Sequence, residues 1–486
     1  MKLYFILAVL TLLTSQHFAA SKEPLKLERC HIENYSQEVL CGSHTVFEDR
    51  VAASGRTIDI KFAVVPSVTD AKELDPLVIL AGGPGQGGRA MAPFVNIAFS
   101  EVHENRDIIL IDQRGMGDSN SLACAEPEIN IFTMTEDEKA EFSRDYLKKC
   151  LANLDADVTK YNQDIANQDI HEIISGLGYD QVNLYGVSWG TRSALLYANQ
   201  FPEQVRTVIM DGNAPLDNRV PLFSAQDSQR AMDALFKDCK KEQACNKAFP
   251  RLEQDFYDIL ASFPEAGKTA TVIDATTGKS EEILLSLESF TNSIFGILYI
   301  PEFSRLIPIV IEQAKENNYQ TLLGLSAAFG DPGISIGAQL SILCSEDLSR
   351  ISDFEIEQAN TKGFIGNSFI NTFKNSCSVW PKTPLPAIYS QSLKSEIPTL
   401  ILSGEIDPIT PPYWGDKMTE YMTNSMHLVA ANTGHNVAPK GCAADLMAQF
   451  ISQGNLNDID GSCLDALKRP TFFIDASGPT RSMNND

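Results

Sequence analysis

Basic side chains are in short supply. Lysine and arginine together number 39 against 63 aspartates and glutamates, a formal charge of −24. Non-specific binding to nucleic acid is excluded, because displacing phosphate counterions takes a surplus of cations. Such acidity serves solubility and also suits a cationic ligand such as a peptide amino terminus. Long hydrophobic runs are missing beyond the first twenty residues, so no later segment reads as a membrane span. The ten cysteines include no C-x-x-C pair, which argues against a metal or dithiol redox centre. There are no repeats and no low-complexity tract. Histidine is rare, seven in 486 residues, and leaves few candidates for a base.

The first twenty residues are a separate unit. Met1-Lys2 gives a minimal positive start, Leu3–Leu13 is nearly all apolar, and Phe18-Ala19-Ala20-Ser21 supplies small residues for cleavage between Ala19 and Lys22. This predicts a secretory signal peptide and an exported protein, periplasmic or extracellular. The cysteines agree with export, since an even number without metal spacing fits disulfides in an oxidising compartment. Their short separations predict pairing of neighbours: 30–41, 124–150, 239–245, 344–377 and 442–463.

Short apolar runs alternate with helical periodicity over the first half of the chain. Strands are expected over 57–66, 77–81, 107–112, 181–185 and 205–210, with helices over 136–154, 167–177 and 191–200. That rhythm implies a parallel sheet with helices on both faces. From 216 to 394 it gives way to helical segments (226–239, 251–262, 287–298, 303–316) and one hairpin around Ala275-Thr-Thr-Gly278. The alternation then resumes with strands over 398–403 and 427–430 and helices over 413–423 and 442–453. The chain therefore divides into a signal peptide (1–20), an α/β core in two parts (21–215 and 395–486) and a helical cap insertion (216–394).

Gly186-Val-Ser-Trp-Gly190 falls at a strand–turn–helix junction. A serine hydroxyl is a weak nucleophile at neutral pH and needs a base, itself oriented by an acid. On this kind of scaffold the chain order is Ser, acid, His. Two histidines follow Ser188. His427 begins an expected strand, whereas His435 lies in the loop after it, where a base reaches the sheet edge. In Ser403-Gly-Glu-Ile-Asp-Pro408, Glu405 reads as a solvated turn acid and Asp407, fixed by Pro408, as the orienting carboxylate. The glycine-rich loop Ala81–Gly88 follows an earlier strand, so the backbone N–H groups of Gly83 and Trp189 are the expected oxyanion donors. Gly83, Gly85 and Gly88 also spell G-x-G-x-x-G, but Pro84 interrupts a dinucleotide loop and no Walker lysine follows. No cofactor and no metal is expected. Arg114 reads as a buried organiser of its loop.

Gly82-Gly-Pro-Gly85, Asp112-Gln-Arg-Gly-Met-Gly-Asp-Ser119, Gly186–Gly190, Gly404–Pro408 and Thr433-Gly-His435 occur in that order. Together they resemble the prolyl aminopeptidase and tripeptidyl aminopeptidase branch of the α/β-hydrolases. Cys377-Ser-Val-Trp-Pro381 and the late Cys442 and Cys463 resemble its secreted tripeptidyl-aminopeptidase subgroup. One departure is Ala81, where many prolyl aminopeptidases carry histidine. The resemblance implies an α/β-hydrolase fold with an inserted cap, a Ser188–His435–Asp407 triad, and removal of residues from peptides with a free amino terminus. It also implies cap-borne acids for the substrate's α-ammonium, and Glu346 and Asp347, beside Cys344, are the candidates. A carboxylesterase or lipase-like hydrolase would use the same triad, and a non-catalytic binding protein could share the fold. The oligomeric state is open.

Overall fold

The structure is a computed structural model that describes residues 24–125, 127, 129, 134–273, 277–328, 333–359, 363–475 and 477–479. The expected signal peptide lies outside the described residues. Among the described residues eleven strands run in chain order as β1 (Leu27–Cys30), β2 (Val39–Phe47), β3 (Thr57–Val65), β4 (Leu77–Leu80), β5 (Ile108–Ile111), β6 (Val182–Val187), β7 (Val205–Asp211), β8 (Lys268–Ile273), β9 (Ser280–Leu285), β10 (Thr399–Gly404) and β11 (Ser425–Ala430). Nine of them form one sheet in the order β1-β2-β3-β5-β4-β6-β7-β10-β11. The first three pair antiparallel and the remainder run parallel. This is the α/β-hydrolase arrangement: a mostly parallel central sheet with helices on both faces.

Short strands such as Leu-Val-Ile-Leu in β4 and Ile-Ile-Leu-Ile in β5 are buried along their whole length. Continuous apolar runs are what a sheet covered on both faces requires. Because successive side chains point to opposite faces, each run feeds two cores. Val78, Leu80, Ile109 and Leu184 join one apolar cluster with Ile170, Ala194 and Leu340 from helices. Leu77, Ile79, Leu110 and Tyr185 join the other, with Val95, Met447 and Phe450. All five disulfides pair as the separations predicted.

Between β7 and β10 the chain leaves the sheet. Helices Ser224–Lys241, Leu252–Ala261, Leu287–Leu298 and Ile307–Ala314 pack with the β8–β9 hairpin around an apolar centre of their own. The turn of that hairpin, 274–276, lies outside the described residues. The expected helix over 303–316 is two pieces, Pro301–Ser304 and Ile307–Ala314, and Pro308 stands in the first turn of the second. Helix Ile336–Glu346 departs from the expectation more deeply. Its Ala338, Leu340, Ile342 and Leu343 belong to the sheet-side core together with Trp380. It lies inside the 216–394 span yet packs with the core layer, not with the cap helices.

The loops that follow β4, β6, β10 and β11 and the last residue of β7 gather at the carboxyl edge of the parallel strands. That edge is where open α/β sheets hold their ligands.

Candidate active site

Ser188 joins β6 to helix Trp189–Gln200 with φ 55° and ψ −122°. A non-glycine residue held there is strained by about 1–3 kcal/mol, and the surroundings must fix it. Its N–H donates to the Asp211 carbonyl at 2.8 Å, and the Thr191 hydroxyl donates to its carbonyl at 2.7 Å. The flanking glycines are obligatory. A Cβ on Gly186 would stand 2.3 Å from the Gly190 carbonyl oxygen, and one on Gly190 2.0 Å from that of Leu80. Without side chains there, the helix starts against the sheet and the serine side chain is held up at its rim, partly exposed.

His435 and Asp407 come from the loops after β11 and β10. Imidazole Nδ1 lies 2.9 Å from Asp407 Oδ2. The same carboxylate accepts from the Ile409 and Thr410 amides at 2.8 and 2.9 Å and from the Thr410 hydroxyl at 2.7 Å. Burial works to raise the Asp407 pKa, but the neighbouring His435 and these donors outweigh it and hold the carboxyl below its ordinary value. For His435, burial disfavours the cation, yet the charges of Asp407 and, further off, Asp211 raise its pKa. Glu405 instead accepts the Asn432 N–H at 2.9 Å. His427 is packed between Asp416 and the Ser403 hydroxyl, 2.9 Å from each.

Ser188 and His435 line one cavity of about 600 Å³ together with Gly82, Gly83 and Trp189. Tyr299, Ile300, Pro301, Phe369 and Phe373 close it from above, and Met91, Phe94 and Ile334 add to an apolar lining. Gln86, Asn218, Ser224, Gln339 and Asn436 add polar side chains to those of Ser188 and Thr410. Lys440 stands at its edge, 2.7 Å from Glu302 of the segment that also carries Ile300 and Pro301.

Glu346 and Asp347, the acids expected to bind the substrate's α-ammonium, are not among the residues that line this cavity. Both are fully buried. Asp347 accepts from Arg192 and Arg350 at 2.7 Å each and from the Val220 amide at 3.0 Å. Glu346 accepts from the Gln163 amide at 2.9 Å and from the Tyr389 hydroxyl. The cause is the helix that carries them, which packs into the core layer and turns its acids toward Arg192. That arginine, also fully buried, lies 3.9 Å from the centre of the Trp189 indole ring, whose Nε1–H donates to Gln163 at 3.3 Å. The acid pair therefore braces the start of the nucleophile helix and has no free oxygen to offer a substrate ammonium. Sequence reasoning missed this brace, although a lone Arg192 just before the mainly apolar stretch Ser193–Ala198 called for a buried acid. Arg114 is the buried organiser expected of it, gripping Asp169 at 2.6 and 3.0 Å and the Glu48 and Lys160 carbonyls.

Residues 75–261 match the alpha/beta hydrolase fold family, and residues 362–463 match the TAP-like protein family. The chain thus has the α/β-hydrolase fold, and it is similar to proteins of the prolyl and tripeptidyl aminopeptidase branch. It is 25% identical to the serine protease Hip1 of Mycobacterium tuberculosis, over 91% of each chain. It is 23% identical to the tripeptidyl aminopeptidase of Streptomyces lividans, over 91% of this chain and 87% of that one. A proline iminopeptidase of Clostridioides difficile is 26% identical over 36% of this chain and 49% of its own. Among the described residues no helix is long and apolar enough to cross a membrane, and no group of acids, histidines and cysteines is arranged to hold a metal ion.

Proposed function

We propose that this α/β-hydrolase is an exported serine exopeptidase that cleaves peptide bonds near a free amino terminus through an acyl-enzyme. One observation carries the reading: a strained serine elbow and an acid-bound imidazole open on a single cavity that cap residues roof over. In this mechanism Ser188 Oγ attacks the scissile carbonyl while His435 takes its proton through Nε2. Asp407, at Nδ1, keeps the imidazole in the tautomer that can accept and stabilises the cation that forms. Charge developing on the carbonyl oxygen accepts from the Gly83 and Trp189 N–H groups, and losing one such donor costs roughly 10²–10³ in rate. His435 then passes its proton to the leaving amine, and a water activated by the same base releases the acyl group. The helices and hairpin between 224 and 328 act as the cap and limit how much peptide enters. Five disulfides support an oxidising destination, periplasm or medium.

Two relatives whose names specify amino-terminal cleavage support the exopeptidase assignment. The apolar lining of the cavity favours a second reading, cleavage of carboxylic esters with apolar acyl groups. A panel of aminoacyl and tripeptidyl chromogenic amides, their acetylated forms and p-nitrophenyl esters separates the two. The exopeptidase reading predicts highest kcat/KM on free-amine amides and a large loss on acetylation. Fast ester turnover with no amide cleavage would establish the esterase.

A further inference from the structure

The geometry points to Asp211 as a positioning residue that holds the nucleophile elbow and the base loop in register and acts as a second carboxylate for His435. It stands at the end of β7, between Val187 of β6 and Leu402 of β10. Its backbone carbonyl takes the Ser188 N–H at 2.8 Å. Its side chain reaches the other way, to the two amides just past the base. Val437 N–H donates to Oδ1 and Oδ2 at 2.9 and 3.1 Å, and Ala438 N–H to Oδ2 at 2.8 Å. A third donor, the Tyr185 hydroxyl, reaches Oδ2 at 2.9 Å from the neighbouring strand. One buried residue thus bonds to both halves of the proposed machinery.

The approach is close. Gly212, at φ +69°, has no room for a side chain, since a Cβ there would lie 2.8 Å from the His435 carbonyl oxygen and 3.3 Å from the ring carbon Cε1. Two elements face the imidazole besides β7. The loop after β10 presents Asp407 and the Thr410 hydroxyl, the latter 3.1 Å from Nδ1. From the cap, Tyr299 presents its ring at 5.2 Å between centroids, and its carbonyl takes the His435 N–H at 3.2 Å. Asp407 and Asp211 are the carboxylates in this set, and both raise the His435 pKa. Burial in turn raises Asp211 to about 6, against the pull of the Ala438 and Val437 amides. An amide in place of the carboxylate would turn an N–H toward backbone N–H groups and remove the charge.

This inference rests on the proposed triad. The test compares parent, Asp211→Asn, Ser188→Ala and His435→Ala on the panel's best amide, measuring kcat, KM and the acid limb of kcat/KM against pH. That limb reports ionisation of the free enzyme. Asp211→Asn lowers kcat about tenfold with KM nearly unchanged, because the lost alignment matters at the transition state. It also moves the acid limb to lower pH by about half a unit or more, since one anion no longer favours the imidazolium. A limb that stays in place overturns the inference, whatever the rate. If Asp211→Asn does not fold, Tyr185→Phe carries the test: the same KM with a kcat about threefold lower supports it, and an unchanged kcat refutes it. Full activity in Ser188→Ala or His435→Ala would instead mark failure of the triad itself.

Discussion

Replacing Asp347 by alanine separates a structural acid from a substrate-binding one. The change leaves the Arg192 guanidinium fully buried without its 2.7 Å partner, strips the Val220 amide of its acceptor and removes one of the acceptors of Arg350. Breaking a buried ion pair by removing one side costs about 3–5 kcal/mol, because the remaining charge stays desolvated. Arg192 keeps the Ala214 and Pro215 carbonyls at 3.2 and 3.1 Å and the nearby Glu346, which argues for the lower half of that range. With unfolding entropy of about 2.1 cal/mol/K per residue, a chain of 486 residues loses roughly 1 °C of Tm per kcal/mol. A drop of about 3–4 °C in a thermal melt is therefore expected. Activity falls as well, since Arg192 stacks on Trp189 and a displaced indole carries the oxyanion N–H with it. The ratio of kcat/KM for free-amine over acetylated substrate does not change, because Asp347 never meets the substrate. An unaltered Tm with a collapsed ratio would refute this reasoning and return Asp347 to the ammonium site.

Glu346 makes stability depend on pH in an unusual direction. Burial raises its folded-state pKa from 4.5 to about 7; between those values the unfolded chain has released the proton while the folded chain retains it. Stability from this group is present below about 4.5, falls as pH rises to about 7 and is flat beyond. Glu346→Gln does not titrate, so its melting temperature gains on the parent across that window by the equivalent of roughly 3 kcal/mol; a gap constant from pH 4 to 8 would contradict the assignment. His435→Ala and Asp407→Asn remain folded by circular dichroism and lose about 10⁴ or more in kcat. His427→Ala, which removes only the links to Asp416 and Ser403, lowers Tm and leaves kcat within a few-fold; equal losses in His427→Ala and His435→Ala would undo the choice of base.

The strands that build the site were legible because each is a short apolar run closed by a distinctive turn. The β6 elbow, the glycine loop after β4 and the acid turn after β10 each carry residues that only a tight, constrained backbone uses. Helix ends were less readable. The helix expected to begin at Asn167 starts at Gln163, and the signal was Asn162, whose side chain accepts the Ile165 N–H at 3.0 Å as a cap. The two leading strands, β1 and β2, were missed, since β2 is polar along one face and mixes Cys, Gly, Ser and His with its apolar residues. The acid pair failed for a tertiary reason. Apart from Gln339, Ile336–Glu346 has apolar or small residues around its circumference, as a buried helix has, and Glu346 ends it with Asp347 next in the chain. Asp211 carried no local signature, because its partners at 437 and 438 are brought to it only by the sheet order.

The central claim is that Ser188 is the nucleophile, and covalent capture tests it most directly. A fluorophosphonate probe incubated with the native protein should add its mass to the single peptide that contains Gly186-Val-Ser-Trp-Gly190, block amide turnover in proportion, and fail to label Ser188→Ala. Stoichiometric labelling that persists in Ser188→Ala, or full turnover by that variant, would contradict the account.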